Sequence, residues 1–359
     1  MMKTLRAALI GLGRIGWQFH LPELARHEGF EPAAVVDPLQ ERLDEARGKY
    51  GVAGYRDHRP MLRAVKPDLV VIASPTPFHA EQAIDAFEAG SDVFCDKPLA
   101  TSLQEADRMI QAAQSRGRKL MAYQPHRGHS VCVALMDVLG RDLIGPVYMI
   151  KAASARWRRR NDWQAWRRYG GGMLYNYGAH MIDQLLYITG SRARRVSCSL
   201  RTVASLGDAD DVVKAVIETD TGVILDMDIN QASAWPLPAW CVFGRRGGIT
   251  YDPKAKQLHV RYLLEGEVPE LELQEGLAAE GRIYQVGEIK DWREEVVPLA
   301  NHKEIDFYQK CYDYFAMDAE PFVKIEETRE LMRVLEECLR SAGQAEGPCG
   351  GGESPGRRP

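Results

Sequence analysis

The sequence predicts an α/β unit built on a doubly wound parallel sheet, followed by an α+β unit with a mostly antiparallel open sheet and helices. Two patterns carry this. Up to about residue 125, short apolar runs alternate with helical segments, as a parallel sheet with crossover helices requires. From about residue 146, apolar runs follow one another without a helix after each, which is the habit of an antiparallel sheet. At 359 residues the chain is long enough to bury two cores.

In the first stretch, LRAALIG, PAAVVD, DLVVIAS, DVFCDKP and KLMAYQ read as five strands. HAEQAIDAFEAG is a helix closed by Gly90. SLQEADRMIQAAQSRG is another, opened by a capping box of Ser102 and Glu105 and closed by Gly117. In the second stretch PVYMIKAASA, RVSCSLRTV, VVKAVIET, VILDMDIN and AWCVFG read as strands, with Asp220-Thr221-Gly222 as a hairpin turn. A helix over 173–188 interrupts them, and helical patterns at 303–317 and 326–342 finish the fold. The units therefore run 1–125 and 126–343. The Gly- and Pro-rich tail, 344–359, is expected to be disordered.

Lys and Arg number 46 against 50 Asp and Glu, a formal charge of −4, which argues against general affinity for nucleic acid or anionic membranes. No apolar run reaches the length of a bilayer span, and MMKTLRAALIGLG is a poor signal peptide. Seven cysteines stand singly, without a CxxC pair or a Cys/His cluster. Free thiols in a reducing cytoplasm are expected, with no metal site.

Directly after the first strand comes Gly11-Leu12-Gly13-Arg14-Ile15-Gly16. A dinucleotide needs such a tight turn, a close backbone approach to its pyrophosphate, and a helix N-terminus for the phosphate charge. Asp37 ends the second strand, twenty-one residues beyond Gly16. A carboxylate there accepts hydrogen bonds from ribose hydroxyls and repels a 2′-phosphate, which favours NAD. Arg42 keeps NADP open. The alternative is an adenosyl cofactor, as in a methyltransferase.

Ligands of an open parallel sheet bind beyond the carboxyl ends of its strands. Lys97 stands there after the fourth strand, and Ser74-Pro75-Thr76-Pro77-Phe78-His79 after the third. The prolines stiffen both turns. His79 opens a helix and reads first as packing or capping. In the later helix, Asn176, His180 and Asp183 fall on one stripe, and Leu174, Gly178, Met181 and Leu185 on a separate apolar one. Three polar residues could thus face a cleft while the helix stays anchored, although a solvated face gives the same pattern. Histidine is the side chain most easily poised as acid or base at neutral pH.

GLGRIG, SPTPFH, DKP and GGGMLYNYGAHMID, in this order and spacing, resemble the glucose–fructose oxidoreductase and myo-inositol dehydrogenase family of NAD(P)-dependent enzymes. The resemblance runs from Leu5 to about Ala342. It implies an N-terminal Rossmann domain and an α+β domain whose open sheet forms homo-oligomer contacts, as a dimer or tetramer. It also implies hydride transfer between NAD, or NADP, and a hydroxyl or carbonyl carbon of a sugar or cyclitol. Lys97 would bind the reacting oxygen and share the hydroxyl proton with His180, and Asp183 would orient His180 or the substrate. Gly11, Gly13, Arg14, Ile15, Gly16, Asp37, Ser74, Pro75, Thr76, His79, Asp96, Lys97 and Gln124 would border the cofactor. Asn176, Tyr123 and Arg127 would reach the substrate.

Two residues depart from the family pattern: Asp96 replaces the glutamate of its Glu-Lys-Pro hallmark, and Asn176 replaces an acid. Asn176 can hydrogen-bond a hydroxyl but cannot act as a base. This shifts proton work to His180 and Lys97, or marks another substrate, or a non-catalytic sensor of nucleotide or sugar. ARWRRRNDWQAWRRYGGG interleaves Trp157, Trp163 and Trp166 with arginines. The acidic whole argues against nucleic acid. A wall of the sugar cleft, with Trp163 in contact and arginines able to hold a carboxylate or phosphate, and a loop packed on the second unit or a neighbouring subunit are the two readings.

Overall fold

The computed structural model describes residues 3–270 and 291–344. The expected disordered tail, except for residue 344, and Cys349 within it lie outside the described residues. The first sheet contains β1 (Leu5–Ile10), β2 (Phe30–Val36), β3 (Ala53–Tyr55), β4 (Leu69–Ile72), β5 (Asp92–Asp96) and β6 (Leu120–Tyr123). Its order is β3-β2-β1-β4-β5-β6, all parallel, so the chain reverses direction across the sheet between β1 and β4. That switch point is where doubly wound sheets open a ligand crevice. Five of the six strands were expected. The sixth, β3, has one exposed and two half-buried residues and no apolar run to mark it.

Helices α1 (Leu21–Arg26), α2 (Gln40–Tyr50), α3 (His58–Val65), α4 (His79–Glu88) and α5 (Leu103–Ser115) cover the sheet. The Ser102 hydroxyl accepts from the Glu105 N–H and caps α5, as the sequence predicts. Both sheet faces are buried: Ala8 and Ile10 face one core, Ala7 and Leu9 the other. This is why residues 7–10 of β1 and all of β4 read as unbroken apolar runs.

After α6 (Ser130–Gly140) come β7 (Val147–Ala155), α7 (Ala179–Thr189), β8 (Ala193–Arg201), β9 (Val212–Thr219), β10 (Ile224–Asn230), β11 (Trp240–Gly244), β12 (Gly247–Asp252), β13 (Gln257–Tyr262) and β14 (Arg293–Pro298). They form a sheet of order β14-β13-β12-β11-β7-β10-β9-β8, antiparallel except at the β7–β10 pair. Strands β12 to β14 escape the sequence reading because their burial is broken and their faces carry charges.

The expected helix over 173–188 is a wide π-turn, Leu174–Gly178, that continues as α7. Last come α8 (Phe307–Met317) and α9 (Ile325–Ser341). Helix α8 returns to the first sheet, where Phe307, Tyr308 and Phe315 pack on Phe94 of β5. Among the described residues the cysteines are free and no helix is long and apolar enough to cross a membrane.

Candidate active site

The glycine turn is shaped by the chain's own packing. A Cβ on Gly11 (φ +98°) would lie 2.6 Å from the Ser74 nitrogen, and one on Gly16 would lie 1.9 Å from the Gly11 carbonyl oxygen. A Cβ on Gly13 meets nothing within 4 Å. The outer glycines are thus needed for the turn, while the middle one leaves its surface bare, as close approach by a pyrophosphate requires. Arg14 is exposed beside it and Ile15 half-buried. Asp37 sits at the end of β2, where one carboxylate oxygen accepts from the Leu12 N–H (2.9 Å) and the other from the Leu39 N–H (3.0 Å). Arg42 reaches the same carboxylate at 3.2 Å.

At the far side, Gln124 follows β6 and is 1% exposed, yet neither of its amide atoms has a partner. The bare Gly13 and this orphaned amide, both at the strand ends, fit a bound dinucleotide.

His79 locks the two rigid turns together. Its Nδ1 lies 3.1 Å from the Pro98 carbonyl oxygen and its Nε2 2.8 Å from that of Ser74. The Ser74 hydroxyl donates to Gln82 (2.7 Å), Thr76 is buried, and Pro75 is exposed. Gly170, of the glycine run that precedes the π-turn, brings its Cα region to within 3.5 Å of Pro77 (measured from the position of an added Cβ). The SPTP turn and the glycine run therefore meet across the two sheets.

Lys97 leaves β5 through a cis bond to Pro98. Strand alternation sends Asp96 towards Phe94 and the His20 side, and its Oδ1 accepts from the Lys97 backbone N–H at 2.7 Å. The Lys97 side chain runs the other way. Its Nζ donates to the Asn176 carbonyl oxygen (2.6 Å) and approaches the Asn176 Oδ1 (3.2 Å). The π-turn places Asn176 there. Burial brings the Lys97 pKa down to about 8, with Asp96 opposing and Arg14 and Arg160 assisting.

His180, one turn on, is buried, with Nδ1 unpartnered. Its ring stacks on His126 at 3.7 Å and 15°, and His126 lies 4.5 Å from His129. Burial first, then the charges of Lys97 and the neighbouring histidines, hold His180 well below its ordinary range. It is a neutral imidazole at neutral pH.

Asp183 does not join this group. Helical rotation turns it to Arg127, which is 2% exposed and grips both carboxylate oxygens at 2.7 and 2.6 Å. Arg127 also reaches Glu327 of α9 at 2.5 Å and stacks over the Tyr187 ring. Burial works against the Arg127 charge, but the two carboxylates outweigh it and raise its pKa. Both residues are occupied with each other in the wall behind His180. Tyr123 likewise packs on His20 and Phe307.

The Trp/Arg loop meets the site through Gln164, whose Oε1 accepts from the Asn176 Nδ2 (3.1 Å). Trp163 stands beside it, 42% exposed. His126 escaped the sequence reading, although two histidines in PHRGH straight after a strand end were a signal; Gln164 and Arg160 belong to the Trp/Arg stretch that the sequence offers as a wall of the cleft.

Residues 5–124 match the model described as "Oxidoreductase family, NAD-binding Rossmann fold", and residues 133–250 match the GFO/IDH/MocA C-terminal domain. A D-glucoside 3-dehydrogenase of Escherichia coli is 32% identical over 52% of this chain and 54% of its own length. An inositol 2-dehydrogenase/D-chiro-inositol 3-dehydrogenase of Shouchella clausii is 28% identical over 63% of this chain and 65% of its own. The chain thus spans between half and two-thirds of these relatives. An NAD-binding protein from Listeria innocua has the same fold, with TM-score 0.79 and 22% identity over 97% of this chain and 99% of that one. The two family models together cover the glycine turn, Lys97 and the His180 helix, and the chain belongs to the GFO/IDH/MocA oxidoreductase family, with an NAD-binding Rossmann sheet.

Proposed function

We propose that the protein moves a hydride between NAD and a secondary hydroxyl or carbonyl carbon of a sugar, cyclitol or derivative. The observation that carries this is the meeting of Lys97, Asn176 and His180 beyond the carboxyl end of β5. Residues 1–125 serve as the cofactor unit and 126–343 as the substrate unit. Bound NAD supplies the hydride acceptor; Gly11, Gly13, Gly16, Asp37 and Gln124 hold it.

In oxidation the substrate hydroxyl must lose a proton. Two uncharged nitrogen bases near one another can take it: Lys97, neutral above about pH 8, and His180, neutral well below that. In the reverse direction the Lys97 ammonium returns the proton and steadies negative charge on the oxygen. Asn176 orients Lys97 and supplies no charge, while Asp96 fixes the Lys97 backbone. The open face of the second sheet exposes Tyr148, Trp292 and Val296, which supports self-association through it.

A panel of sugars, sugar acids and inositols offered with NAD or NADP, followed at the absorbance of the reduced cofactor, tests this. Reduction of NAD by at least one member is expected. Cofactor binding with no turnover across the panel would favour a nucleotide or sugar sensor on the same frame.

A further inference from the structure

We propose that Asp210 is a positioning residue of the active site: it sets the start of the π-turn and so brings Asn176 against Lys97. This rests on the proton-handling reading of Lys97 and adds to it the residue that holds the partner of Lys97 in place.

The helical segment that carries Asn176 and His180 begins at Met173, and its first N–H groups find no acceptor within the helix. Asp210, in the loop between β8 and β9, takes two of them. The Met173 N–H donates to the Asp210 carbonyl oxygen at 2.8 Å, and the Leu174 N–H to its carboxylate Oδ2 at 2.8 Å. Gly172, just ahead, lies against the same side chain. A Cβ there would stand 2.4 Å from Asp210 Oδ1, and the φ of +111° suits glycine alone. The Gly172 carbonyl oxygen in turn accepts from the Asn176 N–H at 3.0 Å. Asn176 then offers its own carbonyl oxygen and Oδ1 to the Lys97 ammonium, at 2.6 and 3.2 Å.

Asp210 is itself buried and fixed. On one side the Ala209 N–H donates to the Ala165 carbonyl oxygen, and on the other the Asp211 N–H donates to that of Arg201, both at 3.0 Å. The Asp211 carboxylate holds the loop closed by accepting from the N–H groups of Val203, Ala204 and Ser205 at 2.8, 2.8 and 2.6 Å. Ala165 adjoins Gln164, which accepts from the Asn176 Nδ2. The loop thus braces Asn176 twice, its backbone through Asp210 and its side chain through the Gln164 stretch. The charges that reach Lys97 are those of Asp96, Arg14 and Arg160. Asp210 therefore acts through the shape of the turn and not through its field, and an uncharged acceptor in the same place should serve.

Competitive labelling of the full chain with acetic anhydride over a series of pH values, with the Lys97 peptide read by mass spectrometry, tests this without need of a substrate. The wild-type midpoint should lie at about 8. In Asp210→Ala it should fall by about one pH unit, the worth of one charge-assisted hydrogen bond to the ammonium. Asp210→Asn, which still offers an oxygen to the Leu174 N–H, should keep the wild-type midpoint. Gly172→Ala leaves Asp210 present but wedges it from the turn, and should lower the midpoint as Asp210→Ala does. Melting curves establish which variants are folded, and Gly172→Ala decides if Asp210→Ala is not. On any sugar that reduces NAD, Asp210→Ala should lose at least about tenfold, more in kcat than in KM. An unmoved midpoint in either folded alanine variant, or an equal fall in Asp210→Asn, would overturn the proposal and leave Asp210 a role in stability alone. A lowered midpoint in the alanine variants with wild-type turnover would sustain it and sink the proton-handling role of Lys97.

Discussion

Replacing Asp183 with Asn separates a structural role from a substrate contact. The carboxylate neutralises Arg127 through two hydrogen bonds of 2.7 and 2.6 Å, deep in the wall between α7 and α9. Stripping one partner from a buried pair costs about 3–5 kcal/mol, because the other charge is left behind. Glu327 remains on Arg127 but is 41% exposed at its side chain, so the lower end applies, about 3 kcal/mol. At roughly 2–4 °C per kcal/mol for a large domain, the melting temperature should fall by about 6–12 °C. Thermal and urea unfolding followed by circular dichroism give both numbers. NAD affinity should hold in the variant. A stability loss below about 1 kcal/mol together with a large rise in substrate KM would refute the reasoning and return Asp183 to the substrate.

Oxidation should speed up as pH rises through about 8 and then level, because Lys97 accepts a proton only when neutral. A rate that falls across that interval would contradict its role as a base. His126→Ala should lower kcat up to about tenfold by releasing the stacked His180 ring, while His126→Phe, which keeps a stacking face, should recover most of it. Equal losses in both variants would show that the imidazole of His126, not its flat face, matters. Asp37→Ala should narrow the preference for NAD over NADP, since Arg42 is then freed from its carboxylate partner. An unchanged ratio of kcat/KM values would show that Asp37 does not read the ribose.

What could be seen in the sequence was local. The glycine turn, the acid at the end of β2 and the lysine at the end of β5 each follow from rules that act within a few residues. Asp183 was misplaced by the same kind of reasoning. A helical stripe states which residues share a face but not what packs on that face, and Arg127 and Glu327 arrive from distant segments. The stripe was also drawn on a regular α-helix, whereas a π-turn holds Asn176. The stack of His126 on His180 and the approach of Gln164 to Asn176 depend on long-range contacts, as does the return of α8 to Phe94.

The central claim is that Lys97 handles the proton of a reacting hydroxyl. Steady-state turnover of Lys97→Ala on whichever sugar reduces NAD, with NAD affinity measured in parallel by fluorescence, tests it most directly. Two or more orders of magnitude lost from kcat, with NAD still bound, is the expected result. Turnover at the wild-type rate would contradict it.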